Sequence, residues 1–321
     1  MGDCMNKTME IILLAGCNFS CDYCISGSNK NKKWKNQFKK VVKWPSVVST
    51  NERGFPIVVD VDEDTTEEEY KNYYKDGKLT LGQAIDGEKL IKYASEKFIG
   101  WDLIVSGGEP LLYPNIDVIL NQFTMHSDVI LLTNASLIQE FPNLMENPKI
   151  FFRIGFHPDY RDLSEFYENV LFLANRTDNY IINYVHHPNH RESGKDIEYI
   201  DMLKEWGFRY EITAFKGKWR GKQYEFKADT IFDKEFISEA YTELVPNGEK
   251  LLPGISFGTM YGTGKVYSCH RTEIEMGSVS GDDLVLSKPK RGYSCLAHDV
   301  CGCDSMRAYR NIEKIKNSKD F

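Results

Sequence analysis

The sequence has no apolar run approaching the roughly 20 residues that a helix needs to cross a membrane. It has no basic excess either, since 40 Lys and Arg residues stand against 47 Asp and Glu residues, a formal charge of −7. That balance argues against a nucleic-acid partner, and no helix-turn-helix pattern is visible. No signal peptide precedes the first motifs. We therefore expect a cytoplasmic protein with no membrane partner.

The chain does contain enough apolar material for a sizeable core. Of its 321 residues 41% are apolar, and a chain of this length predicts about two domains. A disulfide framework is typical of small secreted chains, so it is not expected here. The eight cysteines therefore favour metal or redox chemistry.

Three of these cysteines lie together in the segment Cys17-Asn-Phe-Ser-Cys21-Asp-Tyr-Cys24, with the spacing C-x3-C-x2-C. The apolar stretch just before it, 9–15, predicts a buried strand. Three thiolates on one loop can hold three irons of a four-iron cluster and leave the fourth iron open to a small molecule.

A zinc site and a thioredoxin-type pair are the other interpretations of this segment. A zinc site would need a fourth ligand, and the nearest histidine in the sequence is the distant His126. A thioredoxin-type pair would use Cys21 and Cys24 and would leave Cys17 without a role. The three-cysteine cluster is the interpretation that uses all three residues.

A second motif follows a predicted strand at 101–106 and reads Ser106-Gly107-Gly108-Glu109-Pro110. Glycines at the carboxyl end of a strand let the backbone approach a ligand closely. An ordinary strand-to-helix turn is the alternative. Both motifs fall where parallel α/β folds place their ligand sites.

Strands and helices alternate after residue 80. We expect helices over 81–98, over a segment opened by the capping box Asp162-Leu-Ser-Glu165, and over 195–206 with an end at Gly207. Further strands are predicted at 129–133, 151–156, 180–185 and 208–215. This alternation predicts a parallel sheet in an α/β fold.

Together these motifs resemble those of the radical S-adenosylmethionine (SAM) enzymes. The family motif has an aromatic residue before the last cysteine, and Tyr23 stands there. In that family SAM binds the open iron, and an electron cleaves it to methionine and a 5′-deoxyadenosyl radical that removes a hydrogen from the substrate. The resemblance implies a partial (β/α)6 barrel over 1–215, with an insertion at about 28–80.

The resemblance also implies a set of site residues. Cys17, Cys21 and Cys24 would hold the [4Fe-4S] cluster, with Glu109 helping to hold the amino end of SAM. Asn134 stands where related enzymes contact the ribose or the methionine carboxylate. The implied SAM-binding residues are Tyr23, Ser106, Gly107, Gly108, Glu109 and Asn134.

Histidines offer a further candidate at a strand end. His157 follows the strand at 151–156 and could bind substrate or move a proton, or it could fix a loop through backbone hydrogen bonds. His186, His187 and His190 crowd one segment. Adjacent histidines on a strand point to opposite faces, so we do not expect a metal site there.

The insertion carries two charge runs of opposite sign. Residues 28–43 contain seven lysines and no acid, and 60–69 contain seven carboxylates. A solvated surface element with mutually neutralising charges is one interpretation. A lid over the barrel mouth, with lysines for an anionic substrate, is the other.

A second group of cysteines follows a linker at 216–250. Four cysteines in one segment fit either a complete iron–sulfur site or zinc. The segment resembles the twitch or SPASM-like auxiliary-cluster domain of radical SAM enzymes, which implies one auxiliary [4Fe-4S] cluster in a small domain at 251–321. Its ligands would be Cys269, Cys295, Cys301 and Cys303.

The resulting hypothesis is a radical SAM oxidoreductase or modifying enzyme that acts on a small polar or nucleotide-like substrate by oxidation, isomerisation or cyclisation. Its electrons would come from a donor such as flavodoxin or ferredoxin. Lys216, Lys218, Arg220 and Tyr224, after the sixth strand, are candidate substrate contacts. Peptide modification is the alternative within the class. A non-catalytic iron–sulfur redox sensor or nucleic-acid-binding regulator is the alternative outside it.

Overall fold

The computed structural model of the protein describes 7–13, 17, 19, 21, 47–50, 56–59, 87–113, 115–215, 217–220, 222–224, 257–261, 264–267, 275–280 and 283–286. Several predictions therefore lie outside the described residues. These are the predictions for Tyr23, Cys24, Lys216, the side chains of Lys218 and Tyr224, the two charge runs and the four cysteines from Cys269 to Cys303.

The described chain forms fourteen strands and six α-helices. The strands are β1 (Lys7–Ile12), β2 (Val47–Thr50), β3 (Pro56–Val59), β4 (Trp101–Ser106), β5 (Val129–Thr133), β6 (Ile150–Phe156), β7 (Tyr180–His186), β8 (Tyr210–Ala214), β9 (Gly217–Trp219), β10 (Lys222–Tyr224), β11 (Phe257–Tyr261), β12 (Lys265–Tyr267), β13 (Glu275–Ser280) and β14 (Asp283–Leu286). The helices are α1 (Gly87–Lys97), α2 (Ile116–Thr124), α3 (Pro142–Met145), α4 (Leu163–Ala174), α5 (Pro188–Ser193) and α6 (Lys195–Trp206).

Six parallel strands form the main part of the sheet. They are neighbours in the order β1-β4-β5-β6-β7-β8, and every neighbouring pair is parallel. Helices connect the consecutive strands from β4 to β8, as parallel pairing requires. The predicted α/β fold with six parallel strands is confirmed.

The carboxyl-terminal strands continue the same sheet. Strand β11 pairs in parallel with β1, Thr8 lying opposite Phe257, and β12, β13 and β14 follow as antiparallel neighbours. Gly264, directly before β12, has φ of +79°, in the left-handed region that favours glycine. Strands β11 to β14 therefore belong to the same sheet as the six parallel strands.

The two faces of the parallel sheet differ in character. One face packs against the helices in a large apolar cluster that includes Leu131, Phe152 and Ile182. The other, here called the inner face, has a small cluster of Ile104, Ile130, Phe151 and Ile181. Because side chains alternate along a strand, polar residues of the same strands share this inner face. Packing of the apolar side chains against the helices thus determines which polar side chains lie on the inner face.

Most predicted boundaries lie within two residues of the observed ones. The capping box is confirmed, since Asp162 Oδ1 accepts a hydrogen bond from Glu165 N at 2.9 Å. Helix α6 ends at Gly207, whose φ is +71°. The first helix is shorter than predicted in its described part, beginning at Gly87, and its buried face includes Leu90 and Tyr93, with Ile91 only partly buried.

No helix within the described ranges is long and apolar enough to cross a membrane.

Candidate active site

The loops that follow β1, β4, β5 and β6 meet at one edge of the sheet, because parallel strands present their carboxyl ends together. Cys17 follows β1, Glu109 follows β4, Asn134 follows β5 and His157 follows β6. Asn134 links the first three loops through its main chain and its side chain. Its main-chain N lies 2.7 Å from Glu109 Oε2, and its Nδ2 lies 3.8 Å from Cys17 Sγ.

The carboxylate of Glu109 is completely buried and is surrounded by donors. Oε1 accepts hydrogen bonds from Leu111 N at 3.1 Å and from Thr133 Oγ1 at 2.7 Å, and Oε2 accepts one from Asn134 N. Burial raises the pKa of Glu109 to about 7, although these hydrogen bonds and the nearby Arg161 favour the ionised form. Glu109 therefore joins the loops after β4 and β5.

The loop after β5 is a tight turn that its own side chains hold together. Ala135 has φ of +59°, in the left-handed region that a non-glycine residue seldom adopts. Thr133 Oγ1 accepts a hydrogen bond from Ala135 N at 2.9 Å, and Asn134 Oδ1 accepts one from Ser136 N at 2.9 Å. Since Oδ1 is engaged by Ser136, the amide Nδ2 of Asn134 is the atom that faces Cys17.

Arg161 holds this turn against the cysteine segment. Its side chain is 1% exposed, and Nη1 donates a hydrogen bond to the main-chain O of Asn134 at 2.6 Å. The guanidinium carbon lies 4.6 Å from the ring centre of Phe166 and 5.8 Å from that of Phe19. Nη2 pairs with Glu165 at 3.2 Å. A buried positive charge thus stands beside the loop that carries Cys17.

His157 packs edge-on against Phe19, with 6.2 Å between ring centres. Burial, together with the positive charge of Arg161, lowers the pKa of His157 to about 4. The imidazole is therefore neutral near pH 7. Its Nε2 lies over Gly155, where an added Cβ would come within 2.5 Å of that nitrogen.

The described cysteines fit an iron–sulfur ligand set in their surroundings. Cys17 and Cys21 are both partly exposed. Cys17 Sγ accepts hydrogen bonds from Phe19 N at 3.4 Å and from Asn134 Nδ2 at 3.8 Å, and N–H donors around ligating sulfurs are a usual way to tune such clusters. Within the described part of the chain no three metal-binding side chains cluster, and Cys24 lies outside it.

Ser106 and Gly107 take different places in the site. Ser106 lies on the inner face, where its Oγ donates a hydrogen bond to Glu10 Oε1 at 3.0 Å. Gly107 has φ of +145°, a conformation that side chains rarely adopt. The strand-end glycine therefore has the backbone freedom that the sequence suggested.

Polar side chains from three neighbouring strands, β6, β7 and β8, form a hydrogen-bonded group on the inner face. Arg153 Nε lies 2.8 Å from Glu211 Oε1, and the side chains are 14% and 5% exposed. Asn183 Nδ2 donates to the same Oε1 at 3.2 Å and approaches Thr213 Oγ1 at 3.4 Å. A largely buried ion pair adds little stability by itself, so this group is a candidate for binding.

Two of the three clustered histidines, His186 and His190, make hydrogen bonds between neighbouring elements of the fold. His186 Nε2 lies 2.9 Å from Asp196 Oδ2. His190 Nδ1 lies 2.9 Å from the hydroxyl of Tyr184, and its Nε2 contacts Asp159. These contacts bind α5 and α6 to β7.

Arg220, a predicted substrate contact, is turned to the surface. It is exposed and pairs with Glu192 at 2.8 Å. Sequence reasoning missed Arg161, Phe19 and Glu10 as site residues. The one available signal for Arg161 was its position four residues beyond the strand-end His157.

No family model matches the chain, and no curated protein matches it. Among solved structures it is similar to native anSMEcpe with bound AdoMet and Cp18Cys peptide, at 15% identity over 84% of this chain and 76% of that chain, with a TM-score of 0.48. Native anSMEcpe with bound AdoMet gives 15% identity, 84% and 77% coverage and a TM-score of 0.49.

Replacing Glu109 with Gln tests the buried carboxylate. The pKa of Glu109 is about 7 in the folded protein against an ordinary value of 4.5, so the folded state binds more protons between these values. Stability from this group is full below pH 4.5 and is lost as the pH rises through 7, on the order of 3 kcal/mol in all. Urea unfolding at pH 5 and pH 8 should show this loss in the wild type and not in Glu109→Gln.

The exposed Glu205 on α6 provides the control for that experiment. Glu205→Gln should keep the pH dependence of the wild type. Equal pH dependence in the wild type and Glu109→Gln would contradict the raised pKa of Glu109.

Replacing Gly155 with Ala tests the packing of His157. The new Cβ would overlap the imidazole, and we expect a loss of about 1–3 kcal/mol in the free energy of unfolding. The double variant Gly155→Ala, His157→Ala removes the overlapping ring. Its loss in the free energy of unfolding should therefore be smaller than the sum of the losses in the two single variants. Strict additivity in urea unfolding would show that Gly155 and His157 are not in contact.

Proposed function

We propose that this chain is a radical SAM enzyme acting on a small polar substrate. The observation that carries the proposal is the meeting of the C-x3-C-x2-C segment with the Gly-Gly-Glu-Pro strand end, through the hydrogen bonds of Asn134 to Cys17 and Glu109. When bound, the four-iron cluster supplies one electron that cleaves SAM to methionine and a 5′-deoxyadenosyl radical, which removes a hydrogen atom from the substrate.

The residues of the chain take these roles in the proposal. Cys17, Cys21 and Cys24 hold the cluster. Tyr23, Ser106, Gly107 and Gly108 contact SAM, and the positive φ of Gly107 supports a close approach of the backbone. Glu109 accepts its hydrogen bonds from the protein, which supports a role in positioning the two loops rather than in direct contact with SAM.

The substrate would face the polar group of the inner face. Arg153 offers a donor and Glu211 an acceptor within one ion pair, which suits an uncharged polar group. A phosphate approaching Arg153 would meet the carboxylate of Glu211, so a nucleotide-like anion is less well supported. His157 is neutral near pH 7, which supports hydrogen bonding or proton acceptance rather than action as a cationic acid.

Two further parts of the proposal rest on sequence. Cys269, Cys295, Cys301 and Cys303 would hold the auxiliary [4Fe-4S] cluster, with zinc as the alternative. A flavodoxin or ferredoxin would deliver the electron in the cytoplasm.

The test of the main proposal is product formation under anaerobic conditions. Protein reconstituted with iron and sulfide, then given dithionite and SAM, should release 5′-deoxyadenosine, measured by liquid chromatography. Cys17→Ala should release none, because the cluster loses one of its three ligands. Cys4→Ala, at a cysteine outside both proposed clusters, should match the wild type. An iron-loaded wild type that forms no 5′-deoxyadenosine, or no faster than Cys17→Ala, would refute the proposal.

Metal analysis tests the auxiliary cluster. Two four-iron clusters predict about eight irons per chain and no zinc, whereas one cluster plus a zinc site predicts about four irons and one zinc. Cys295→Ala should lower the iron content toward four and leave 5′-deoxyadenosine formation measurable. Zinc lost with Cys295→Ala at constant iron would assign the second site to zinc.

A further inference from the structure

The side-chain amide of Asn134 has only one orientation that satisfies its surroundings. Ser136 N donates to Oδ1 at 2.9 Å, and a main-chain N–H can be matched only by the carbonyl end of the amide. The amino end, Nδ2, is therefore directed at Cys17 Sγ, 3.8 Å away. The network of contacts assigns this N–H···S orientation.

The main chain of Asn134 is held on both sides. Its N donates to the buried Glu109 at 2.7 Å, and its O accepts from Arg161 Nη1 at 2.6 Å. Both partners are themselves almost fully buried. The amide thus has little freedom to turn away from Cys17, and its donor is in place before any ligand arrives.

A donor at this place has a defined electrostatic effect. One-electron reduction makes a cluster and its thiolates more negative, and hydrogen bonds to the sulfurs stabilise that added charge. Arg161 contributes in the same direction, because its positive charge also stabilises the added negative charge. Since its side chain is buried, salt screens this charge poorly. Both groups favour the reduced state.

We propose that Asn134 is the outer hydrogen-bond donor to the cluster ligand Cys17, that Arg161 holds it there, and that the two raise the reduction potential of the cluster. This inference rests on the proposed function, since it needs the cluster. The step concerned is the transfer of one electron from the external flavodoxin- or ferredoxin-type donor, which is oxidised by one electron. Asn134 and Arg161 are positioning residues in this step and exchange no proton.

This role differs from the SAM contact that the resemblance implies for Asn134. A SAM contact changes the affinity for SAM and leaves the potential of the SAM-free cluster where it was. A donor to Cys17 changes the potential with no SAM present. The two roles can therefore be separated by one measurement made without SAM.

The experiment is a redox titration of the reconstituted full chain without SAM, followed by electron paramagnetic resonance. The signal that Cys17→Ala abolishes identifies the cluster concerned. Asn134→Leu removes the donor at similar volume. We expect the reduction potential of the cluster in Asn134→Leu to lie about 59 mV or more below that of the wild type, which is a tenfold change in the equilibrium constant of a one-electron couple.

Asn134→Asp gives a second test that keeps the turn. An aspartate retains an oxygen for Ser136 N, removes the donor and adds a negative charge, so the potential should fall further than in Asn134→Leu. Asn147→Asp is the matched control. Asn147 lies just before β6, at the opposite end of that strand from the site. The reduction potential of the cluster in Asn147→Asp should therefore equal that of the wild type.

Arg161 is tested by a pair of variants. Arg161→Met removes the buried charge and the hydrogen bond to Asn134 O, and its potential should fall. Arg161→Lys keeps a charge and one donor, so its potential should lie between those of Arg161→Met and the wild type. Iron content is measured for every variant, so that loss of the cluster is not mistaken for a change in its reduction potential.

The outcomes separate this inference from the proposed function. An unchanged potential in iron-loaded Asn134→Leu would overturn the inference, and weaker SAM binding in the same variant would support the SAM-contact role instead. If Asn134→Leu fails to load iron, Asn134→Asp decides by the same criterion. A wild type that takes up no cluster would refute the proposed function itself.

Discussion

The buried carboxylate of Glu109 is the contact on which the rest of the site depends. It lies at the junction of two strand-end loops and binds main-chain N–H groups from both, at Leu111 and Asn134. Removing a carboxylate from water is costly, and the donors that converge on Glu109 offset only part of that cost, since its pKa stays raised at about 7. Those donors come from parallel strands whose order brings β4 and β5 side by side. The sheet topology and the position of Asn134 beside Cys17 are therefore linked through one side chain.

The extent of the fold that sequence could predict follows from how local each signal is. Strand β5 has the predicted bounds because an apolar run between polar segments marks a buried strand by itself. The caps at Asp162 and Gly207 were equally visible, since capping depends on residues a few positions apart. Helix α2 and the parallel pairing of β11 with β1 were missed. The pairing joins residues some 250 positions apart, and no local pattern encodes that.

The candidate site shows the same division. The cysteine spacing and the Gly-Gly-Glu-Pro segment are contiguous motifs, and sequence named Cys17 and Glu109 from them. Asn134 was named from its position after the strand at 129–133, as the family resemblance implies. Sequence could not show that the Glu109 carboxylate turns inward, because its partners Thr133 and Asn134 come from another strand. Arg161 was missed for a similar reason. Its importance lies in contacts with Asn134 and Phe19, which the fold alone brings together.

The parallel pairing of β11 with β1 has a consequence for the order of assembly. Strand β1 is synthesised before β11, yet one of its two hydrogen-bonding edges is completed only by β11, Phe257–Tyr261. Until then, the strand next to the cysteine loop has an open edge, and open edges invite pairing with other chains. Strands β4 to β8 can align beforehand, since each is adjacent to the next in sequence. The strand that leads to Cys17 thus gains its second neighbour only after the chain has been synthesised as far as Tyr261.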